Sequence, residues 1–401
     1  MRAHAGKLRR LLLVSHAADR SGAPLFLANL AIWLKKEVPD IEVDVLLKQT
    51  GELRSMFAAA GHCRSWRLED TWPIQIIDRL GIWGKRRDRY LGHGPLQRWY
   101  QRSVLRWLQR RRYDLVFVNS FANAALIPML ADAIGRPVIC RAPELESVVE
   151  AYCGRESVLM AIPRIQRFIA VSNIVTDYMV GALGIDRERI SQIPGFYRHP
   201  DKKLPPREEI RKALGIPKHA FVVCGCGTIS ARKGTDLFLA IAQRLLTEGN
   251  RVEWFFIWMG EATDLTFLTM IRKEAVNSLA LEHVRFIGKV DEPYEWFSAS
   301  DVLALTSRED PFPLVAIEAA HAGLPIICFD GPVGTRELAE QGAVMLAEHF
   351  STEDFAQRVL ELSSDVAKHA RLAQRAREVS TDYSIDRIGI RVLDLILSEI
   401  H

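Results

Sequence analysis

One pattern constrains this chain more than any other: a short apolar run, a turn of small or polar residues and an amphipathic helix recur along almost its whole length. LRRLLLVSHA opens with a run that reads as a buried strand. Ser21-Gly22-Ala23-Pro24 then leads into LFLANLAIWLKKEV, where Pro24 suits the first helical turn because its missing N–H has no partner there anyway. IEVDVLLK (41–48) is the next strand, and ELRSMFAAAG is a short helix whose final Gly61 is expected to cap it. Residues 62–100 carry Trp66, Trp72, Trp83 and a basic cluster without a clear period, before a helix over QRWYQRSVLRWLQRRR (97–112). Strands then recur at YDLVFVNS (113–120), PVICRAPE (137–144), RFIAVSN (167–173) and ISQIPGF (190–196), with helices between them, one starting near 145. Nearly continuous apolar strands alternating with helices specify a parallel sheet covered on both faces.

The rhythm stops at 198–209, a polar stretch with three prolines that reads as a linker, and then restarts. FVVCGCGT (221–228), WFFIWMG (254–260), VRFIG (284–288), DVLALTS (301–307), PIICFDG (325–331) and AVMLAE (343–348) are strands. Helices are expected at 234–247, 263–276, 292–299, 314–322 and 334–340, followed by three more, the last over 385–400. The fold class is therefore α/β with two doubly wound Rossmann-like domains, 1–197 and 210–383.

With 401 residues, 48% hydrophobic and 25% charged, the chain is neither disordered nor a disulfide scaffold. The six cysteines show no CxxC pair, so structural zinc is not expected; they read as reduced thiols of a cytosolic protein. No signal peptide or membrane span is apparent. The net charge of +4 conceals an asymmetry, because residues 1–112 hold 22 Lys/Arg against 10 Asp/Glu.

Three segments can carry chemistry. In GCGTISARKG (225–234) a buried strand ends in glycines, Gly227 among them, and Arg232 and Lys233 precede a helix. Such a turn suits a diphosphate, although the same residues also fit a solvated basic loop. It is neither a Walker A sequence nor a dinucleotide fingerprint. In SREDPFPLVAIEAAHAG (307–323) the loop supplies Asp310 and the helix presents Glu318, either as ligands at the mouth of the sheet or as a cap and an ordinary helical charge. DGPVGTRELAEQG (330–342) offers another glycine-rich helix start. His16, just after the first strand, fits a cleft residue as well as a structural one, and His321 reads as core.

GTISARKG (227–234), SREDPFPLVAIEAAHAGLPII (307–327) and GPVGTRELAEQG (331–342), in this order and spacing, resemble the nucleotide-sugar domain of the retaining family 4 glycosyltransferases. The resemblance implies the GT-B architecture, with two domains facing across a cleft and a final helix (384–401) returning to the first, acceptor-side domain. It also implies that Arg232 and Lys233 grip the donor diphosphate, that Asp310 meets sugar hydroxyls and that Glu318 meets the ribose. Main-chain N–H groups near Phe312, Leu314 and Val315 are expected to approach donor oxygens, while Ser21 and Gly22 match the family's first loop. Departures are plain: Asp310 replaces the more usual glutamate, Pro311 and Pro313 replace glycines, Thr228 replaces an arginine, and Pro143 stands where many relatives carry a histidine.

The implied reaction is transfer of a sugar, with retention, from a UDP- or GDP-linked donor to an acceptor hydroxyl, without a metal or other cofactor. Surface polysaccharide, lipopolysaccharide or glycolipid synthesis is the expected setting. A non-catalytic nucleotide-sugar or glycan-binding protein on the same scaffold is the alternative; an epimerase or a pyridoxal-dependent phosphorylase lacks motifs. The acceptor, a glycan or a lipid-linked molecule, is expected on the first domain. There KRRDRYLGHGPLQRWYQRSVLRWLQRRR (85–112) carries ten Lys/Arg and one acid; with Trp83, Trp99 and Trp107 it suits an anionic bilayer or a solvated face. Nucleic acid is not expected, because no recognition module accompanies the charge. The protein is thus expected in the cytoplasm, peripheral on the inner face of the membrane.

Overall fold

The computed structural model describes residues 8–71, 94–197, 205–247, 252–276, 282–290 and 293–400. Trp72, Trp83, the basic run at 85–93 and most of the proline-rich linker lie outside the described residues. The chain divides into two compact units, one drawn from Met1–Pro194 and Ile385–His401, the other from Gly195–Ser384. No described helix is long and apolar enough to cross a membrane.

The first unit holds a seven-stranded parallel sheet in the order β3-β2-β1-β4-β5-β6-β7. Its strands are β1 (Arg10–Ser15), β2 (Glu42–Leu47), β3 (His62–Ser65), β4 (Leu115–Asn119), β5 (Val138–Arg141), β6 (Arg167–Ala170) and β7 (Ile190–Gln192). β4 is buried at every position, as the unbroken apolar run of a strand covered on both faces requires. Gly61 does not act as the expected left-handed cap. Its backbone is extended at φ −176°, and a Cβ there would lie 1.8 Å from the Val43 carbonyl oxygen, so close approach selects the glycine. The helix expected from 145 is broken: a π-helical turn over Val149–Cys153 ends at Gly154, and a regular helix begins at Arg155.

The Pro95–Arg111 helix is fixed at both ends by buried polar contacts. Gln97 donates to the Trp66 carbonyl at 3.0 Å and accepts from the Leu68 N–H at 2.8 Å. At the other end Arg111 makes a two-pronged ion pair with the fully buried Asp44, at 2.8 Å on both contacts, and Tyr113 donates to the same carboxylate at 2.7 Å. The C-terminal helix, Ile385–Ser398, buries Ile388, Val392, Leu393 and Ile396 along one stripe within this unit. Trp33 donates to Asp386 at 2.9 Å beside it, and Arg167 pairs with Glu399 at 2.8 Å.

The second unit holds a six-stranded parallel sheet in the order β10-β9-β8-β11-β12-β13. These strands are β8 (Phe221–Cys226), β9 (Trp254–Met259), β10 (Val284–Gly288), β11 (Val302–Leu305), β12 (Ile326–Phe329) and β13 (Met345–Ala347). One core packs under each face, around Phe297 and Leu303 on one side and Phe238 and Phe355 on the other. The six cysteines are free thiols. Strand addition reverses between β8 and β11, as it does between β1 and β4 in the first unit; ligands of doubly wound sheets bind at such points.

The Asp44 carboxylate carries the ion pair that ends the Pro95–Arg111 helix. Asp44→Ala, which leaves Arg111 and Tyr113 without their acceptor, should lower stability by about 3 kcal/mol. Urea denaturation reads this, and a loss below about 0.5 kcal/mol, the scale of an ordinary surface change, contradicts it.

Candidate functional site

At the reversal point of the second sheet two loops meet, 227–234 after β8 and 306–313 after β11. Gly227 and Gly234 have φ of +144° and +66°, backbone shapes that favour glycine. A Cβ on Gly234 would also stand 1.9 Å from the Thr306 carbonyl oxygen. The glycine thus lets the start of the Thr235–Thr247 helix press against the end of β11, where the Thr306 hydroxyl donates to the Gly234 carbonyl at 2.9 Å. Gly260, at φ +140°, backs onto the Gly227 carbonyl, which also accepts from the Trp258 indole at 3.0 Å.

Both cations of the first loop are tied to the second. The Arg232 guanidinium donates to the Glu309 carbonyl at 2.9 Å. The Lys233 ammonium is ion-paired with Asp310, and both side chains are largely covered. Asp310 does not cap the following helix; its backbone instead bridges to Val333, donating to Pro332 at 3.1 Å and accepting from Gly334 at 2.8 Å. That bridge joins the third glycine-rich segment to the same edge.

A second brace lies beneath. Arg308 donates to Asp236 through two bonds of 2.8 and 2.6 Å and to the Ala231 carbonyl at 2.6 Å, while its own N–H reaches the Arg232 carbonyl at 2.8 Å. Burial works against a charged Asp236, but the Arg308 hydrogen bonds and charge outweigh it and hold the carboxyl below its usual 3.8. The sequence reading missed this pair: Arg308 stands in the second segment and Asp236 two residues past the first, and their meeting depends on β8 lying beside β11.

The helix Leu314–Ala322 starts at this edge, where Leu314 and Val315 supply the first two N–H groups and the next one, of Ala316, donates to the Pro313 carbonyl at 3.0 Å. Phe312 turns back onto Tyr383, with ring centroids 5.8 Å apart. Leu314 packs over Gly195, where a Cβ would meet its side chain at 2.4 Å. Glu318 is half-buried on the same helix. Burial, then the Glu318 charge, pushes the Cys226 thiol up to about 12, and the Lys233 charge acts in the opposite sense. Gly227, Arg232, Lys233, Asp310, Phe312, Leu314, Val315 and Glu318 therefore belong to one edge of one sheet. His321 stacks on Tyr197 at 4.2 Å, a packing role. Thr228 is exposed.

Gly22 and Ser21 lie in the first unit, exposed, at the start of the Gly22–Glu37 helix; the Ser21 hydroxyl turns to Asp19 rather than capping that helix. Burial lowers the His16 pKa after β1. Beyond β5, Arg141 is buried over the Phe26 ring at 3.8 Å and donates to Asn119 at 3.2 Å; burial brings its pKa down to about 10. Glu144 is buried too, its pKa raised by burial, and accepts from the Phe121 N–H at 3.2 Å. Both residues near Pro143 are thus engaged within the first unit. Among the described residues no cluster of three or more His, Cys, Asp or Glu is arranged to hold a metal ion.

Two adjacent cations, a helix start and two acidic side chains lie together at a reversal point, a combination chemically suited to an anionic, hydroxyl-bearing ligand. Residues 206–379 match the family described as Glycosyl transferases group 1, and residues 20–197 match Glycosyltransferase Family 4. The chain belongs to the family 4 glycosyltransferases, which have the GT-B fold. It is 26% identical over 240 residues to the alpha-galactosylglucosyldiacylglycerol synthase of Streptococcus pneumoniae, covering 56% of this chain and 59% of that protein. It is 25% identical over 326 residues to the D-inositol 3-phosphate glycosyltransferase of Streptomyces bingchenggensis, covering 79% of this chain and 68% of that one. The matched region thus spans about three-fifths to two-thirds of these relatives' own length. The fold is shared with Anabaena HepE, solved in complex with UDP and glucose, at a TM-score of 0.78 and 17% identity over 97% of this chain and 100% of that one.

Two outcomes test the loop geometry. Gly234→Ala should destabilise by about 1–3 kcal/mol. It should exceed Gly215→Ala, because Gly215 has a similar φ of +67° with nothing within 4 Å of a Cβ. Equal thermal shifts for the two would contradict the close approach to Thr306. For Asp236 the folded pKa is depressed, so its contribution is present above 3.8 and lost as pH falls through the folded value. Arg308→Gln should therefore weaken the acid dependence of the urea midpoint between about pH 5 and pH 2; an unchanged pH profile would contradict the brace.

Proposed function

We propose that this glycosyltransferase moves a sugar from a nucleoside-diphosphate sugar to an acceptor hydroxyl, with retention of configuration. The observation that carries the reading is the pair Arg232–Lys233, held across two loops by Glu309 and Asp310 at the sheet's reversal point. Negative charge grows on the leaving diphosphate as the glycosidic bond breaks. Preorganised cations and N–H groups aimed at that charge need no reorganisation during the reaction, and one such donor is worth about 3 kcal/mol. Arg232 and Lys233 take this role, assisted by the N–H groups of Leu314 and Val315. In the resting protein Asp310 occupies the Lys233 ammonium; on donor binding Lys233 shares itself with phosphate, and Asp310 turns to sugar hydroxyls. Glu318 accepts from the ribose hydroxyls.

The acceptor attacks the face the diphosphate leaves, and the leaving phosphate oxygen takes the acceptor proton. No protein nucleophile enters this route. UDP or GDP is the proposed nucleotide, and HepE, with UDP and glucose bound, supports a nucleotide-sugar donor. A glycan or lipid-linked acceptor accords with the glycolipid named for the Streptococcus pneumoniae relative. A second reading, a non-catalytic binding protein, is favoured by Pro143 alone, which offers no imidazole to a sugar.

A thermal-shift screen against UDP, GDP, ADP, CMP and their sugar conjugates tests the donor assignment. One nucleoside diphosphate at about a hundredfold excess over its Kd should raise the melting temperature by roughly 5 °C. Arg232→Ala and Glu318→Ala should each reduce that shift. Protection unchanged in both variants, or none with any nucleotide, contradicts the assignment. Turnover of the protecting donor separates the enzyme from the binding protein, and Arg232→Ala should lower it about 100-fold.

A further inference from the structure

Phe350 stands in a backbone shape that its side chain does not favour. It follows the end of β13 by three residues, and its φ is +58°. Among the described residues only Arg112 and Ser120 share a positive φ without being glycine. Arg112 is the left-handed cap of the Pro95–Arg111 helix, and the Ser120 hydroxyl supports its own turn by accepting from the Ala122 N–H at 3.0 Å. A phenyl ring has no polar atom to give such support, and glycine would make the same turn with less strain. The following helix does not require a ring there, because Ser351 caps Thr352–Ser364, accepting from the Asp354 N–H at 3.2 Å. Core packing does not account for it either: Phe350 is 43% exposed and meets the core ring of Phe329 edge-on, with centroids 6.0 Å apart.

What the ring does touch is the brace between the functional loops. The Arg308 guanidinium stands over it, 5.9 Å from the centroid, and His349 is stacked on it at 3.8 Å. His349 in turn lies against the Gly331 backbone, where a Cβ would run into the imidazole. A column Gly331–His349–Phe350–Arg308 thus joins the third glycine-rich segment to the second. Arg308 carries it on to the first, through Asp236 and the Ala231 and Arg232 carbonyls.

We propose that Phe350 is a positioning residue for the cation pair. Its left-handed backbone holds the ring against Arg308, and the ring keeps that guanidinium in the rotamer that grips the main chain of the first loop. A half-exposed arginine has many rotamers; an aromatic face excludes some and attracts the charge in others. Arg232 and Lys233 are thereby held where negative charge grows on the leaving diphosphate. Strain retained where glycine would relieve it is the mark of a position kept for function. The effect on turnover rests on the sugar-transfer reading, whereas the effect on the first loop does not.

Hydrogen–deuterium exchange of the unliganded full chain, followed by kinetics with the protecting donor, tests the two effects separately. F350G removes ring and strain together, so its melting temperature should stay within about 3 °C of the unaltered protein. The Arg308 and Gly234 amides, which donate to the Arg232 and Ala231 carbonyls, should nevertheless exchange faster, by about fivefold. The kcat should fall about 10-fold while the donor KM moves by less than about twofold. F350Y, which keeps the ring, should retain both properties. R308Q should lose as much as F350G, and F350G/R308Q no more than R308Q alone, because the two act through one contact. Unchanged exchange in F350G, rate losses that multiply in the double variant, or loss of both properties in F350Y would overturn the proposal. A much larger fall in the F350G melting temperature would overturn it too, by marking Phe350 as a packing residue. Failure of every nucleotide to protect the unaltered protein contradicts the donor reading instead, and the exchange comparison then decides the proposal alone.

Discussion

The second unit depends on how closely its two functional loops are held. A lysine and an arginine at the end of a loop would ordinarily sample many rotamers, and fixing them costs entropy at the moment of binding. Here that cost is met during folding. The Gly234 backbone lies against the Thr306 carbonyl, Arg308 clamps Asp236 and the Ala231 carbonyl, and the guanidinium of Arg232 is directed at Glu309. The cations are therefore part of a rigid framework before any ligand arrives, which is what electrostatic stabilisation of a leaving group requires.

The prolines of the second loop belong to the same logic. Pro311 and Pro313 remove two N–H donors and restrict the backbone around Phe312, whose ring leans on Tyr383. The Asp310 backbone is pinned on its other side by Pro332 and Gly334. A carboxylate one methylene shorter than glutamate is thus presented from a stiff loop and already partnered by Lys233. Stiffness narrows where that carboxylate can point; under the proposed donor assignment, the departures from the family's glycine-rich pattern bear on specificity as well as on binding.

Much of this architecture was legible in the sequence because β-strands buried on both faces leave unbroken apolar runs, and β8, β9 and β11 all show them. Local backbone events were less legible. Gly61 reads as a helix cap from its position, yet its φ is extended and the reason for glycine is a carbonyl from a neighbouring strand. The break at Gly154 follows a π-helical turn that no side-chain period announces. The cation pair at 232 and 233 stood out as a motif, whereas its partners Glu309 and Asp310 and the Arg308–Asp236 brace required knowledge of which strands are adjacent. Pairings across some 75 positions of chain are properties of topology, and local pattern does not encode them.

The central claim is that the loops 227–234 and 306–313 form one diphosphate-binding unit. Hydrogen–deuterium exchange with and without a saturating nucleoside diphosphate measures this directly. The account predicts slowed exchange in both loops together and in the first turn of the Leu314–Ala322 helix. Protection of only one loop, or protection confined to other parts of the chain, would contradict it.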